Sequence, residues 1–211
     1  MKTYILMLIS ALTITPAFAA DIAITQGKDY TVISANGKPL PSKKGSVNVT
    51  EFYSFACVHC ALLEPKLDAW YTKSKNVDLN RIQVVWDGHF TGYAKINAAS
   101  EALKLGTGFN QQVFNATMNQ RQNLEDPKQL QAFLAANKKL VDPAKFMSTY
   151  NSFSVSTKPQ EYAQYTSAYN ITGTPTVIVG GKYMTMPAQP DQLMNVIQAL
   201  VDKVKKEQKI K

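Results

Sequence analysis

Cysteine is nearly absent: the chain of 211 residues has two, Cys57 and Cys60, and only two histidines, His59 and His89. A fold stapled by a framework of disulfides is excluded, and a chain this long can bury a sizeable core without staples. A zinc centre needs about four ligands, and no second C-x-x-C accompanies the first. Covalent haem attachment needs histidine directly after the second cysteine, where Ala61 stands. No phosphate-binding glycine motif appears either: Gly106 and Gly108 do not follow a strand in G-x-G-x-x-G spacing, and read as an interhelix turn. Acidic residues are the minority, 15 against 23 basic, for a formal charge of +8. Much of that excess lies in the tail VDKVKKEQKIK, where lysines suit the negative end of a helix. It is no nucleic-acid surface, which would interleave aromatics with the basic residues.

Long apolar runs are missing after the first residues. The chain opens MKTYILMLISALTITPAFAA, the charged, apolar and small-residue order of a secretory leader. Its apolar stretch, Tyr4 to Ile14, is about half of the roughly 20 residues that span a bilayer. The reading is a leader over 1–19, cleaved after Ala19, and a mature protein without a membrane span.

Exported chains ordinarily use cysteines for bridges that close long loops. A bridge across two residues restricts the unfolded chain little. An inert bridge remains one reading of the pair; redox reactivity is the other, and the local pattern favours it. The residues Val47 to Phe55 read as a buried strand, and helical spacing follows, with Leu62, Leu63, Leu67 and Trp70 or Tyr71 on one face. Cys57 then stands at the start of a helix, where unpaired N–H groups and the dipole favour a thiolate. Cys60, one turn further in, is expected to be buried and protonated. His59 adds a positive charge beside Cys57 when protonated.

Around the motif, Tyr30 to Ile33 and Arg81 to Trp86 read as strands. From 91 to 161 the chain turns helical: Asp126-Pro127 and Asp142-Pro143 are helix starts, Leu130, Phe133 and Leu134 line one helix, and Phe146, Tyr150 and Phe153 the next. Two β-rich runs flank Gly180-Gly181 as a hairpin, and Asp191 caps a last helix with Leu193, Val196, Ile197, Leu200 and Val204 on its apolar face. The order is strand, reactive turn, helix, strand, helical insert, hairpin and helix, an α/β chain divided into 20–90 first part, 91–161 all-helical insertion and 162–211 second part.

EFYSFACVHC in its strand-to-helix setting, the helical insert, NSF at 151–153, and TPT followed by GGKY together resemble the DsbA family, periplasmic thiol:disulfide oxidoreductases of Gram-negative bacteria. The resemblance covers nearly the whole chain after the leader and implies a thioredoxin-like fold with the all-helical domain inserted in it. It implies that Cys57 is the exposed nucleophile, Cys60 the resolving cysteine, and His59 a matching member of the central dipeptide, with Val58 in place of a frequent proline. It implies a cis bond at Thr174-Pro175 facing the disulfide and offering backbone hydrogen bonds to substrate, with Val58 beside it. Glu51 and Glu64 match two carboxylates near the site, although Glu64 taken alone could equally be solvated. A buried lysine found near them in some members has no evident match, Gln83 or Val84 lying about where it would fall. His89 reads as a surface or insert residue.

The implied activity is disulfide introduction into reduced exported proteins, with no cofactor beyond the Cys57–Cys60 disulfide, no metal and no nucleic-acid partner. A DsbB-like, quinone-linked membrane protein would reoxidise the pair, and the protein would act as a monomer in the periplasm. The alternatives are an isomerase or reductase of the same fold, for which no additional dimerisation module is visible, and a peptide-binding chaperone in which the cysteines are incidental.

Overall fold

A computed structural model describes residues 22–34 and 38–210. The expected leader and residues 35–37 of the turn-rich stretch lie outside them. Five strands, β1 (Tyr30–Val32), β2 (Val47–Tyr53), β3 (Val77–Gln83), β4 (Thr176–Val179) and β5 (Tyr183–Thr185), form one sheet in the order β1-β5-β4-β2-β3. Only the β2–β3 pair is parallel; β2–β4, β4–β5 and β1–β5 are antiparallel. The parallel pair is joined by helix α1 (Val58–Lys73), as parallel neighbours require a crossover. β2 lies inside the sheet, between β4 and β3, and is buried along its whole length.

The period of two along β2 separates two layers. Val47 and Val49 pack with Leu63 and Leu67 of α1 and the apolar stripe of the last helix, α8 (Pro190–Gln208). Phe52 faces the other side, with Ile82, Ile178, Tyr162 and Tyr165. Between β4 and β5 the chain reverses through Gly180 and Gly181, at φ +63° and +67°, the left-handed pair that a tight hairpin turn demands. A side chain at Gly180 would also come within 2.9 Å of Val204.

From Thr91 to Ala168 the chain is helical: α2 (Thr91–Leu103), α3 (Gly106–Phe114), a π turn (Asn115–Asn119), α4 (Pro127–Ala136), α5 (Pro143–Tyr150), α6 (Phe153–Ser156) and α7 (Lys158–Ala168). Asp126 and Asp142 cap α4 and α5 through side-chain oxygens that accept backbone N–H groups. Phe109, Phe133 and Phe146 form the aromatic centre, with ring centroids 5.8 and 5.3 Å apart. The same cluster takes in Tyr53, Phe55 and Cys60, so the helical segment packs directly on the end of β2. The second half of α7 carries Tyr162 and Tyr165 into the sheet-face cluster.

Several boundaries differ from the sequence reading. β3 is Val77–Gln83 instead of 81–86: Val84 and Val85 are buried, but Val85 bonds its N–H to Thr166 of α7 instead of a neighbouring strand. β1 and β2 end at Val32 and Tyr53, short of Ile33 and Phe55. Leu62 leaves the buried face of α1 and is 53% exposed. Phe153 does not continue α5, which stops at Tyr150; it opens the one-turn α6, capped by Ser152, and is 85% exposed. The N-cap of α8 is Gln189, with Pro190 and Asp191 inside the first turn. Gly106 has the left-handed φ of a turn residue, whereas Gly108 lies within α3.

Candidate active site

Beyond Tyr53 the chain leaves the sheet and turns into α1 over Ser54–Cys57. Cys57 is the N-cap of α1, with extended backbone, and its sulfur accepts the N–H of Cys60 at 3.4 Å. A helix start leaves such N–H groups without backbone partners, and here the unmet donors face sulfur. Cys57 is half-buried, Cys60 fully buried, and both are free thiols.

The two sulfurs are consequently unlike. A hydrogen bond from the Cys60 thiol outweighs partial burial at Cys57 and, with Thr174 and the backbone N–H groups of Cys60 and His59, brings its pKa down to about 5. Burial, the Cys57 sulfur and the charge of Glu51 push the Cys60 thiol far up. The pair thus holds an ionised and a neutral sulfur at neutral pH. His59 is exposed, as is Val58 at 54%; among the leading influences on Cys57, His59 acts through its backbone N–H.

Thr174-Pro175 is a cis bond, and Cys57 Sγ lies 3.3 Å from the Thr174 carbonyl oxygen, to which it donates when protonated. The loop before β4 therefore faces the reactive sulfur. On the other side Val58, Leu62, Phe114 and Met118 line an open groove of about 370 Å³ between α1 and the π turn.

Beneath the pair lies a buried charge cluster. Glu51 of β2 is paired in register with Arg81 of β3, so both side chains point toward α1, from which Glu64 and Asp68 descend one turn apart. Arg81 Nε is 3.3 Å from both Glu51 and Glu64, and Nη2 donates to Asp68 at 2.6 Å. Glu51 is fully buried and Glu64 1% exposed; the solvated alternative for Glu64 is excluded. Burial and the Glu64 charge raise the Glu51 pKa to about 8 against the pull of Arg81. Burial raises Glu64 as well, again against Arg81. Burial opposes the charge on Arg81, but Glu64, Glu51 and Asp68 together make its guanidinium harder to deprotonate than usual.

The sequence offers no basic residue at Gln83 or Val84, where the family resemblance would put one; in the structure Arg81 is the basic partner of Glu51 and Glu64. The available signals were a lone arginine in a strand, two residues before Gln83, and an aspartate four residues after Glu64. Arg81 lies in both the expected and the observed strand, but that it faces Glu64 and Asp68 of α1 follows only from its register with Glu51. His89 is exposed in the loop before α2.

A half-buried, acidified cysteine at a helix start, a protonated partner one turn on, and a cis-proline loop across from them define a thiol–disulfide oxidoreductase of thioredoxin fold. Comparison with known proteins agrees: the family model described as Thioredoxin matches residues 40–199. The chain is 36% identical over 185 residues to the thiol:disulfide interchange protein DsbA of Burkholderia cepacia, covering 87% of this chain and 86% of that one. It is 33% identical to DsbA of Bordetella parapertussis over 86% and 85% of the respective chains. Among solved structures, the oxidoreductase NmDsbA1 of Neisseria meningitidis superposes with a TM-score of 0.77 at 34% identity, over 88% of this chain and 96% of that one. The chain belongs to the DsbA family of thiol:disulfide interchange proteins.

Proposed function

We propose that this protein is a periplasmic dithiol oxidase that introduces disulfides into exported proteins. The observation that carries the reading is the contrast between the two sulfurs: Cys57 at about 5 and Cys60 raised. Stabilising the Cys57 thiolate stabilises the reduced pair, and so makes the disulfide a stronger electron acceptor.

A substrate thiolate attacks Cys57 Sγ, the Cys57–Cys60 bond breaks, and Cys60 leaves and takes up a proton. A second thiolate of the same substrate then attacks the substrate sulfur of the mixed disulfide, and Cys57 departs as a thiolate. The substrate loses two electrons and two protons in forming its own disulfide; the enzyme pair gains the two electrons. Cys57 is the better leaving group because its thiolate is the more stable one. Cys60 resolves the mixed disulfide if the second substrate thiol is slow. Glu51, with a pKa of about 8, retains most of its proton at neutral pH; in this reading it and Glu64 set the proton affinity around Cys60. The backbone of Thr174, beside Pro175, pairs with an extended substrate segment, and Val58 contacts it next to Cys57. His59 borders the same surface.

The oxidised pair is regenerated by an acceptor of two electrons, for which a DsbB-like, quinone-linked membrane protein is the candidate. Among the described residues no helix is long and apolar enough to cross a membrane. In this reading the chain is exported, loses residues 1–19, and works as a monomer with the Cys57–Cys60 pair as its redox centre.

The test is single turnover. The oxidised enzyme, mixed with a reduced unfolded protein, should pass its disulfide on stoichiometrically. Cys57→Ser should abolish transfer. Cys60→Ser, supplied as a mixed disulfide on Cys57, should release that adduct only to a substrate thiol. Unaltered activity of Cys57→Ser on cysteine-containing clients, with no disulfide passed on, would favour a chaperone with incidental cysteines.

A further inference from the structure

The ladder of β2 ends at Tyr53, whose carbonyl accepts the N–H of Val84, yet the next four residues carry the nucleophile. Their backbone groups have no strand to bond with, and two buried side chains take its place. Gln83, fully buried, accepts the Phe55 N–H through Oε1 at 2.9 Å and donates through Nε2 to the Val84 carbonyl at 3.0 Å and the Ser54 hydroxyl at 3.3 Å. That hydroxyl in turn accepts the Ala56 N–H, and the Ser54 carbonyl accepts the N–H of Cys57.

From the opposite side comes Thr117, in the π turn of the helical segment. Its hydroxyl is 2.7 Å from the Phe55 carbonyl, closer than to the Val113 and Phe114 carbonyls of its own helix at 3.1 and 3.2 Å. With one proton to donate, it serves the shortest of the three. The wide turn presents this hydroxyl toward the redox turn, and single π turns recur at functional sites. The Phe55 ring packs into the same segment, 5.0 Å from Phe114.

We infer that Gln83 and Thr117 are positioning residues for the redox pair, gripping the two peptide groups of Phe55 from the sheet and from the helical segment, so that this segment helps to set the reactivity of Cys57. The inference rests on the reading of Cys57 as the reacting sulfur. Polar side chains here are not needed for packing, because the surrounding cluster is aromatic and aliphatic and an apolar side chain of equal size would fill either place. What each supplies is a hydrogen bond to a buried backbone group that is costly to leave unpaired. The Cys57 sulfur meets the Cys60 N–H only while the backbone from Phe55 to Cys57 holds this course.

Thr117→Val keeps the shape and removes the donor; Thr117→Ser keeps the donor. Thiolate absorbance against pH and equilibrium with glutathione should be measured on both, on Gln83→Met, and on the unaltered protein. Thr117→Val should raise the Cys57 pKa by about half a unit to one unit and shift the glutathione equilibrium toward the oxidised pair by roughly three- to tenfold. Thr117→Ser should restore both values, and Gln83→Met should move them in the same direction as Thr117→Val. Folded Thr117→Val and Gln83→Met proteins with lower melting temperatures but unaltered pKa and equilibrium would overturn the proposal, since a purely structural role predicts that result. If Thr117→Val does not fold, Gln83→Met decides by the same two readouts. An ordinary Cys57 pKa in the unaltered protein would instead overturn the reading on which the proposal rests.

Discussion

At the scale of single residues the chemistry depends on where hydrogen-bond donors point. The groups that hold the Cys57 pKa down are the Cys60 thiol first, then the Thr174 side chain and the N–H groups of Cys60 and His59. Cys60→Ala should therefore raise the Cys57 pKa well above about 5, whereas Cys60→Ser, which retains a donor, should keep most of the depression; titration of thiolate absorbance separates the two. His59→Ala leaves its N–H in place and should shift the pKa less than Cys60→Ala. The nucleophile and its partner were legible in the sequence because a strand running into C-x-x-C and helical spacing places one sulfur at a helix start and the other a turn inside. The placement of Thr174 beside Cys57 was legible only through family resemblance, since residues this far apart in the chain meet only once the sheet has formed.

At the scale of elements the deciding feature is the ion cluster between β2, β3 and α1. Removing one partner from a buried ionic group leaves the others uncompensated, typically costing about 3–5 kcal/mol. Arg81→Met should lose roughly that much stability at neutral pH in denaturant titration, with the deficit shrinking in acid as the carboxylates take up protons. Glu51 runs the opposite way. Its folded pKa of about 8 lies above the ordinary 4.5, so the folded state holds a proton that the unfolded chain has released between those values, and stability falls as pH rises through that window. Glu51→Gln should be more stable than the parent by a margin that grows from about pH 5 to pH 8. The cluster was half legible: Glu51 and Glu64 were found, but Arg81 and Asp68 were not. The β-branched run Val84-Val85 drew the strand boundary toward the C-terminus, although those side chains are buried by α7 and not by strand pairing. Phe153 was misplaced for a similar reason, since apolar spacing alone does not reveal that Asn151 and Ser152 stop one helix and cap another.

At the scale of the whole molecule, a sheet fixes one side of the redox turn and a helical segment the other. The order of strands and helices was readable from their periodicity and the helical segment from its Asp-Pro starts, while the thioredoxin-like fold followed from the family resemblance. Its packing against Phe55 was not, because the contacting residues lie about 60 positions away and carry no motif. Since the folded structure favours the Cys57 thiolate, the reduced protein should melt at a higher temperature than the oxidised one. The sign follows from the lowered pKa: the contribution is complete above the ordinary thiol value of 9.0 and is lost as pH falls through about 5, so the two melting temperatures should converge in acid. This thiolate preference makes the pair an oxidant, and the equilibrium of Cys57/Cys60 with glutathione at neutral pH measures how strong an oxidant it is. The predicted result is a potential well above the roughly −180 to −230 mV of protein disulfide isomerase and glutaredoxins; a value near the roughly −270 mV of thioredoxin would contradict it.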